Sequence, residues 1–164
     1  MLLLPQGKSD NREKEVVMTC YAKFVDSKKS KQYKYVLMGS PVPLARPRFA
    51  RGHVWDSQGV IKQNFMDEIR YQHGKLPMLS GPIHADVTFF MAISSTASCK
   101  RRERMRGTPH IYRPDFSNML KFIEDVCHGI VYKDDCIISS ICGSKIYEED
   151  PRTEIIFSEI IYDE

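Results

Sequence analysis

The chain has 164 residues, 42% of them hydrophobic and 27% charged, with nine Gly and nine Pro, which predicts one globular domain with a sizeable core. Twenty-four Lys and Arg against twenty-one Asp and Glu leave a net charge of +3, too small to specify a nucleic-acid partner by itself. No apolar run approaches the roughly 20 residues of a membrane-spanning helix, the opening residues lack the pattern of a secretory signal, and five Cys without a C-x-x-C pair suggest neither a disulfide framework nor a zinc site; a cytoplasmic location is expected.

Residues 1–33 are expected to be an N-terminal extension, with a polar start, a strand-like stretch over 16–25 and a hydrophilic connector over 26–32. A compact domain over 34–164 follows. Tyr35-Val36-Leu37-Met38 predicts a strand that Gly39-Ser40-Pro41-Val42-Pro43 stops, because Pro cannot donate to a ladder. Arg46-Pro47-Arg48-Phe49-Ala50-Arg51 is basic, and Val54-Trp55 suggests a short hairpin. Ile61, Phe65 and Ile69 recur every four residues, one side of a helix over 61–73 that Gly74 and Pro77 end. Over 83–93, Ile83, Ala85, Val87, Phe89, Met91 and Ile93 alternate with the period of a strand. A loop is expected over 94–114, with five positive charges and one negative between Lys100 and Gly107, a pattern usual for a solvated segment.

The stretch 115–129 predicts a helix. At 100° per residue Phe116, Met119, Leu120, Ile123, Val126 and Cys127 share an arc of about 120°, while Asn118, Lys121 and Asp125 project from another face. Pro114 suits its start and Gly129 its end. Two further strands are expected, over 136–146 and 153–162. The order predicts an α+β fold: a mixed sheet with two main helices on one face.

Asp134 and Asp135 are adjacent carboxylates before a strand, and Asp115 begins a helix that carries Lys121. Mg²⁺ takes oxygen ligands, commonly one or two carboxylates completed by water and substrate phosphates. A nearby lysine supplies positive charge for a phosphate oxygen. On pattern alone, simpler uses are commoner: a helix N-cap for Asp115, a turn at Asp134-Asp135, and a solvated Lys121–Asp125 pair.

Taken in order, Gly39-Ser40-Pro41-Val42-Pro43, Arg46-Pro47-Arg48-Phe49, Arg113-Pro114-Asp115-Phe116-Ser117-Asn118-Met119-Leu120-Lys121, Asp125, Gly129-Ile130-Val131-Tyr132-Lys133-Asp134-Asp135 and Lys145 resemble the RusA family of Holliday-junction resolvases. The resemblance spans about residues 34–162. The family pattern, Pro-Asp-x-Asp-Asn-x-x-Lys followed by Asp-Asp-x-Gln, implies catalytic roles for Asp115, Lys121 and Asp135 and a metal site at Asp115, Asp134 and Asp135. Asn118 matches the family Asn, and Asp125 a further acidic position. Ser117 stands where a second catalytic Asp belongs, and Ile137 replaces the Gln after the acidic pair.

The resemblance implies an Mg²⁺-dependent endonuclease, with Mn²⁺ as an alternative ion, which nicks four-way DNA junctions as a homodimer during recombination and repair. Arg46, Arg48, Arg51, Lys100, Arg101, Arg102, Arg104, Arg106, Arg113 and Asn118 would contact DNA. Ser117 leaves two outcomes open: a working nuclease with Ser as a neutral ligand, or a relative that binds branched DNA without efficient cleavage. Residues 145–164 carry seven acidic and two basic side chains. Their −5 leaves +8 on residues 1–144, which concentrates positive charge around the predicted carboxylates.

Overall fold

The computed structural model describes residues 30–45, 48–50, 53–55 and 57–161, with backbone alone for 48–50 and 53–55. The strand expected over 16–25 lies outside the described residues. Strand β1 (Gln32–Met38) is followed by a hairpin of β2 (Arg48–Ala50) and β3 (His53–Trp55), then helix α1 (Gly59–His73) and strand β4 (Ile83–Ala92). Helices α2 (Cys99–Met105) and α3 (Phe116–Cys127), a 3-10 turn (Asp135–Ile137) and strands β5 (Ile138–Glu148) and β6 (Arg152–Glu159) complete it.

The main sheet has the order β1-β6-β4-β5. β4 and β5 are parallel, whereas β6 is antiparallel to both β1 and β4. A parallel pair needs a crossover, and α3 lies in the chain between its two strands. The α+β mixed sheet is therefore as expected, but a third helix stands where a loop was expected. α2 reads CKRRERM; Lys, Arg, Glu and Met are good helix formers, and charge density had masked that propensity.

Alternation places Tyr33, Tyr35 and Leu37 of β1, Ala85, Val87 and Phe89 of β4, and Ile155 and Phe157 of β6 in one buried core. α3 covers this face with Met119, Phe122, Ile123, Val126 and Cys127. Phe122 falls outside the expected stripe yet is fully buried, because α1 flanks the helix: the Phe65 and Phe122 rings meet edge to face at 5.3 Å. α1 meets the core from its middle onward, through Phe65 and Met66. Ile69 is buried, while Ile61 keeps 42% of its surface exposed.

β5 pairs with β4 in a register that shifts by one residue near its start: Ile83 faces Ile138, but His84 faces Ser140. The extra residue, Ser139, donates its hydroxyl to the Ile83 carbonyl at 3.2 Å. Beyond this bulge Gly143 lies across from Val87 and Lys145 across from Phe89, on the side that α3 covers.

Candidate active site

Asp115 occupies the N-cap position of α3 with extended backbone, φ −69° and ψ 138°, and its carboxylate makes no capping hydrogen bond. The commonest structural use of Asp at a helix start is therefore not made of this exposed side chain. The Arg113–Pro114 peptide bond before it is cis. Ser117, Asn118 and Lys121 follow, all exposed. Ser117 and Lys121 are four residues apart and share a helix face. The Asn118 carbonyl accepts from the Leu44 amide at 2.8 Å, tying the proline-rich loop after β1 to the first turn of α3. Gln58 fixes that loop further, donating to the Pro43 carbonyl at 2.9 Å and accepting from the Ala45 amide at 2.6 Å.

The two residues that flank Asp115 in sequence are seated on β5. Phe116 packs its ring over Gly143, where a Cβ would overlap the ring and stand 3.1 Å from the Val87 carbonyl oxygen. The Phe116 ring also meets Phe89 edge to face, at 5.3 Å. Pro114 is held through its carbonyl, which accepts from Lys145 Nζ at 2.8 Å.

The acidic pair is positioned from the other end of α3. Gly129, at φ 71°, turns the chain in a left-handed conformation that glycine adopts without steric cost. Val131 and Tyr132 are fully buried, and the Tyr132 hydroxyl donates to the Glu124 carbonyl at 3.2 Å. Lys133, Asp134 and Asp135 then emerge exposed. Asp134 Oδ1 accepts from the Cys136 amide at 3.0 Å, and this bond holds its carboxyl below the ordinary carboxylate range. The turn reading of the acidic pair thus describes Asp134. Asp135 carries no such capping bond and lies in the electrostatic field of Glu124, whose carboxyl is pushed up first by burial and then by Asp135 and Asp125.

Acidic groups consequently sit towards both ends of α3. Asp115 is at its start; Glu124, on which the charge of Asp135 acts, lies nine residues on, about 13 Å of helical rise. Among the described residues no three His, Cys, Asp or Glu gather into a metal-binding group. Asp115, Asp134, Asp135 and the Ser117 hydroxyl are exposed hard-oxygen donors, and their chemistry fits a cation such as Mg²⁺ that uses few protein ligands and keeps much of its water. Glu124 was not among the expected site residues; the signal available was its i, i+3 spacing from Lys121. Asp125 pairs with Lys62 of α1, Nζ to Oδ2 at 3.0 Å, not with Lys121.

The basic residues divide into two groups. Arg102 reaches Glu149 at 3.5 Å, and Arg106 reaches Glu148 at 3.0 Å and Glu149 at 3.4 Å, so the acidic end of β5 faces part of α2. Lys100, Arg101, Arg104 and Arg113 are exposed. Arg46, Arg51 and the Arg48 side chain lie outside what the structure describes. Among the described residues no helix is long and apolar enough to cross a membrane.

Residues 38–157 match the sequence family described as "Endodeoxyribonuclease RusA". The chain is also similar to a protein of Bacillus subtilis (strain 168) named "Uncharacterized protein YqaN", with 25% identity over 136 residues, 77% of this chain and 96% of that protein.

Proposed function

Because the chain belongs to the RusA endodeoxyribonuclease family, we propose that it hydrolyses phosphodiester bonds at DNA four-way junctions, as a homodimer with two sites acting on opposite strands. The observation that carries this reading is Asp115: an exposed carboxylate at a helix start that takes no part in capping the helix. RusA-family nucleases are generally dependent on divalent metal, and the oxygen donors here suit Mg²⁺ or Mn²⁺. Asp115 and Asp135 would hold the cation, with Asp134 and the Ser117 hydroxyl assisting. Bound there, the ion would lower the pKa of a water and offset charge on the scissile phosphate.

Lys121 supplies a mobile positive charge one turn beyond Ser117, suited to the phosphate oxygens as negative charge builds on them. Asn118 fixes the strand beside it. Lys100, Arg101, Arg104 and Arg113 give the exposed positive charge that draws in the DNA backbone, with Arg46, Arg48 and Arg51 assigned the same role. A two-fold dimer matches the pseudo-symmetry of a four-way junction.

Ser117 supports a second reading, a junction-binding protein with weakened cleavage. A hydroxyl in place of a carboxylate removes one negative charge from the cation site, which lowers its affinity for a divalent ion. The deciding experiment incubates an immobile four-way junction with the native chain, Asp135→Asn and Ser117→Asp, in Mg²⁺ and in Mn²⁺. Cutting by the native chain that Asp135→Asn abolishes is the expected result. Native binding without cutting, with cleavage appearing in Ser117→Asp, establishes the second reading, and unaltered cutting by Asp135→Asn removes that residue from the site.

A further inference from the structure

We propose that Lys145 is a positioning residue for Asp115, acting through the main chain rather than through DNA or metal; the proposal rests on the nuclease reading above. Lys145 lies on the helix-covered side of β5, across from buried Phe89, so its stem starts inside the fold. Its ammonium donates to two main-chain carbonyls, Tyr112 O at 2.6 Å and Pro114 O at 2.8 Å. Its own carbonyl accepts from the His110 amide at 2.8 Å. One residue therefore binds the approach to Asp115 at three points.

Those bonds take over where regular pairing stops. The Gly107 amide donates to the Tyr147 carbonyl at 2.8 Å and the Tyr147 amide to Thr108 at 3.0 Å, and Pro109 bridges to Ile146. Residues 107–110 thus run antiparallel beside β5. Beyond His110 the chain turns towards α3, and the Lys145 side chain bonds the carbonyls that the strand no longer reaches. Arg113 projects into solvent, and exposed Tyr112 adds an edge-to-face contact with the His110 ring at 6.1 Å.

Asp115 is bracketed as a result. Pro114 before it is held by the Lys145 ammonium, and Phe116 after it sits in the notch left by Gly143. The Asp115 carboxylate, which makes no capping bond, takes its direction from these neighbours and from the first turn of α3, where the Met119 amide donates to the Asp115 carbonyl at 3.2 Å. A displacement of about 1 Å in a catalytic group lowers rates by about 100-fold, so losing the ammonium would act on turnover more than on junction affinity.

The test compares the full chain with Lys145→Met, which removes the donors but keeps an unbranched stem, and with Lys145→Arg, which retains donors. Amide exchange over 108–117, junction affinity and the cleavage rate at saturating junction are measured in Mg²⁺ and Mn²⁺. Lys145→Met is expected to exchange about tenfold faster over 108–117 than the native chain, to bind the junction within about twofold, and to cut about 10- to 100-fold more slowly; Lys145→Arg recovers part of the rate. Unchanged exchange overturns the proposal, as does a loss confined to affinity, which would make Lys145 a phosphate contact. If Lys145→Met does not fold, Lys145→Gln, with one donor, carries the same comparisons. A native chain that never cuts defeats the nuclease reading, while exchange over 108–117 still decides whether Lys145 holds this segment.

Discussion

Lys62 of α1 donates to Asp125 of α3, Nζ to Oδ2 at 3.0 Å, with 22% and 45% of the two side chains exposed. An acidic residue on the polar face of α3 is thereby used to join two helices. Such partly exposed pairs contribute about 0.2–1 kcal/mol. Asp125→Asn is expected to lower stability by no more than that in a denaturant titration, and to reduce junction cleavage far less than Asp115→Asn. Equal losses of cleavage would place Asp125 in the catalytic machinery.

Tyr35 and His73 meet in the core, Oη 2.6 Å from Nδ1, and among the described residues buried His73 Nε2 has no hydrogen-bond partner. Tyr35→Phe would leave both imidazole nitrogens unpartnered. The cost expected for one newly unsatisfied buried group is about 1–3 kcal/mol, visible as a lower melting temperature. A melting curve that matches the native one would mean that His73 finds a second partner.

Gly143→Ala inserts a methyl group against the Phe116 ring and the Val87 carbonyl. Overpacking of this kind costs about 1–3 kcal/mol. Phe116→Leu should relieve part of the loss, so the double variant is expected to be more stable than the sum of the single effects predicts. Strict additivity in chemical denaturation would show that the two positions are not coupled.

Glu154 bridges β6 and β1, with Arg152 Nε at 2.8 Å and Lys34 Nζ at 3.2 Å. The Arg152 hydrogen bond, followed by Lys34, holds its carboxyl below the ordinary value of 4.5. A folded-state value below the unfolded one gives stability that is fully present above the unfolded value and is lost as pH falls through the folded value. Because the pair is partly exposed, its contribution is about 1 kcal/mol or less. Glu154→Gln should therefore be less stable than the native chain at pH 7, with the difference closing in acid. A gap that persists at pH 2 would point to packing rather than charge.

Arg106, just past the end of α2, contacts two glutamates, Glu148 and Glu149, whereas exposed Arg101 on the helix has no ion pair with a described carboxylate. Each phosphate contact contributes about one unit to the slope of log affinity against log salt. Arg101→Ala is expected to reduce that slope by about one, and Arg106→Ala by much less. The reverse order in a salt titration of junction binding would mean that DNA displaces the glutamates from Arg106.

The sequence made some of these arrangements legible and hid others for identifiable reasons. The apolar stripe of α3 and the alternation of β4 are local periodicities, and both elements stand where they were expected. Phe122 escaped because its burial depends on Phe65 of another helix, which no single-helix projection contains. α2 was concealed by its charge, and the exposure of Ile61 by a stripe that engages the core only from Phe65 onward. Within the site, Asp115 was legible as a helix start, but its lack of a capping bond was not. The partners of Asp125 and Lys145 lie 63 and 31 to 33 residues away, separations that composition and spacing do not encode.

The extra residue at Ser139 sets the parity of everything after it in β5. In an uninterrupted strand Ile138 and Gly143, five positions apart, would point to opposite sides of the sheet. With the register shift, Ile138 lies across from Ile83 and Gly143 across from Val87, both buried residues of one core. Gly143 and Lys145 reach the helix side only because of that inserted serine, so a bulge beside the acidic pair governs the footing of Asp115 against the middle of the strand.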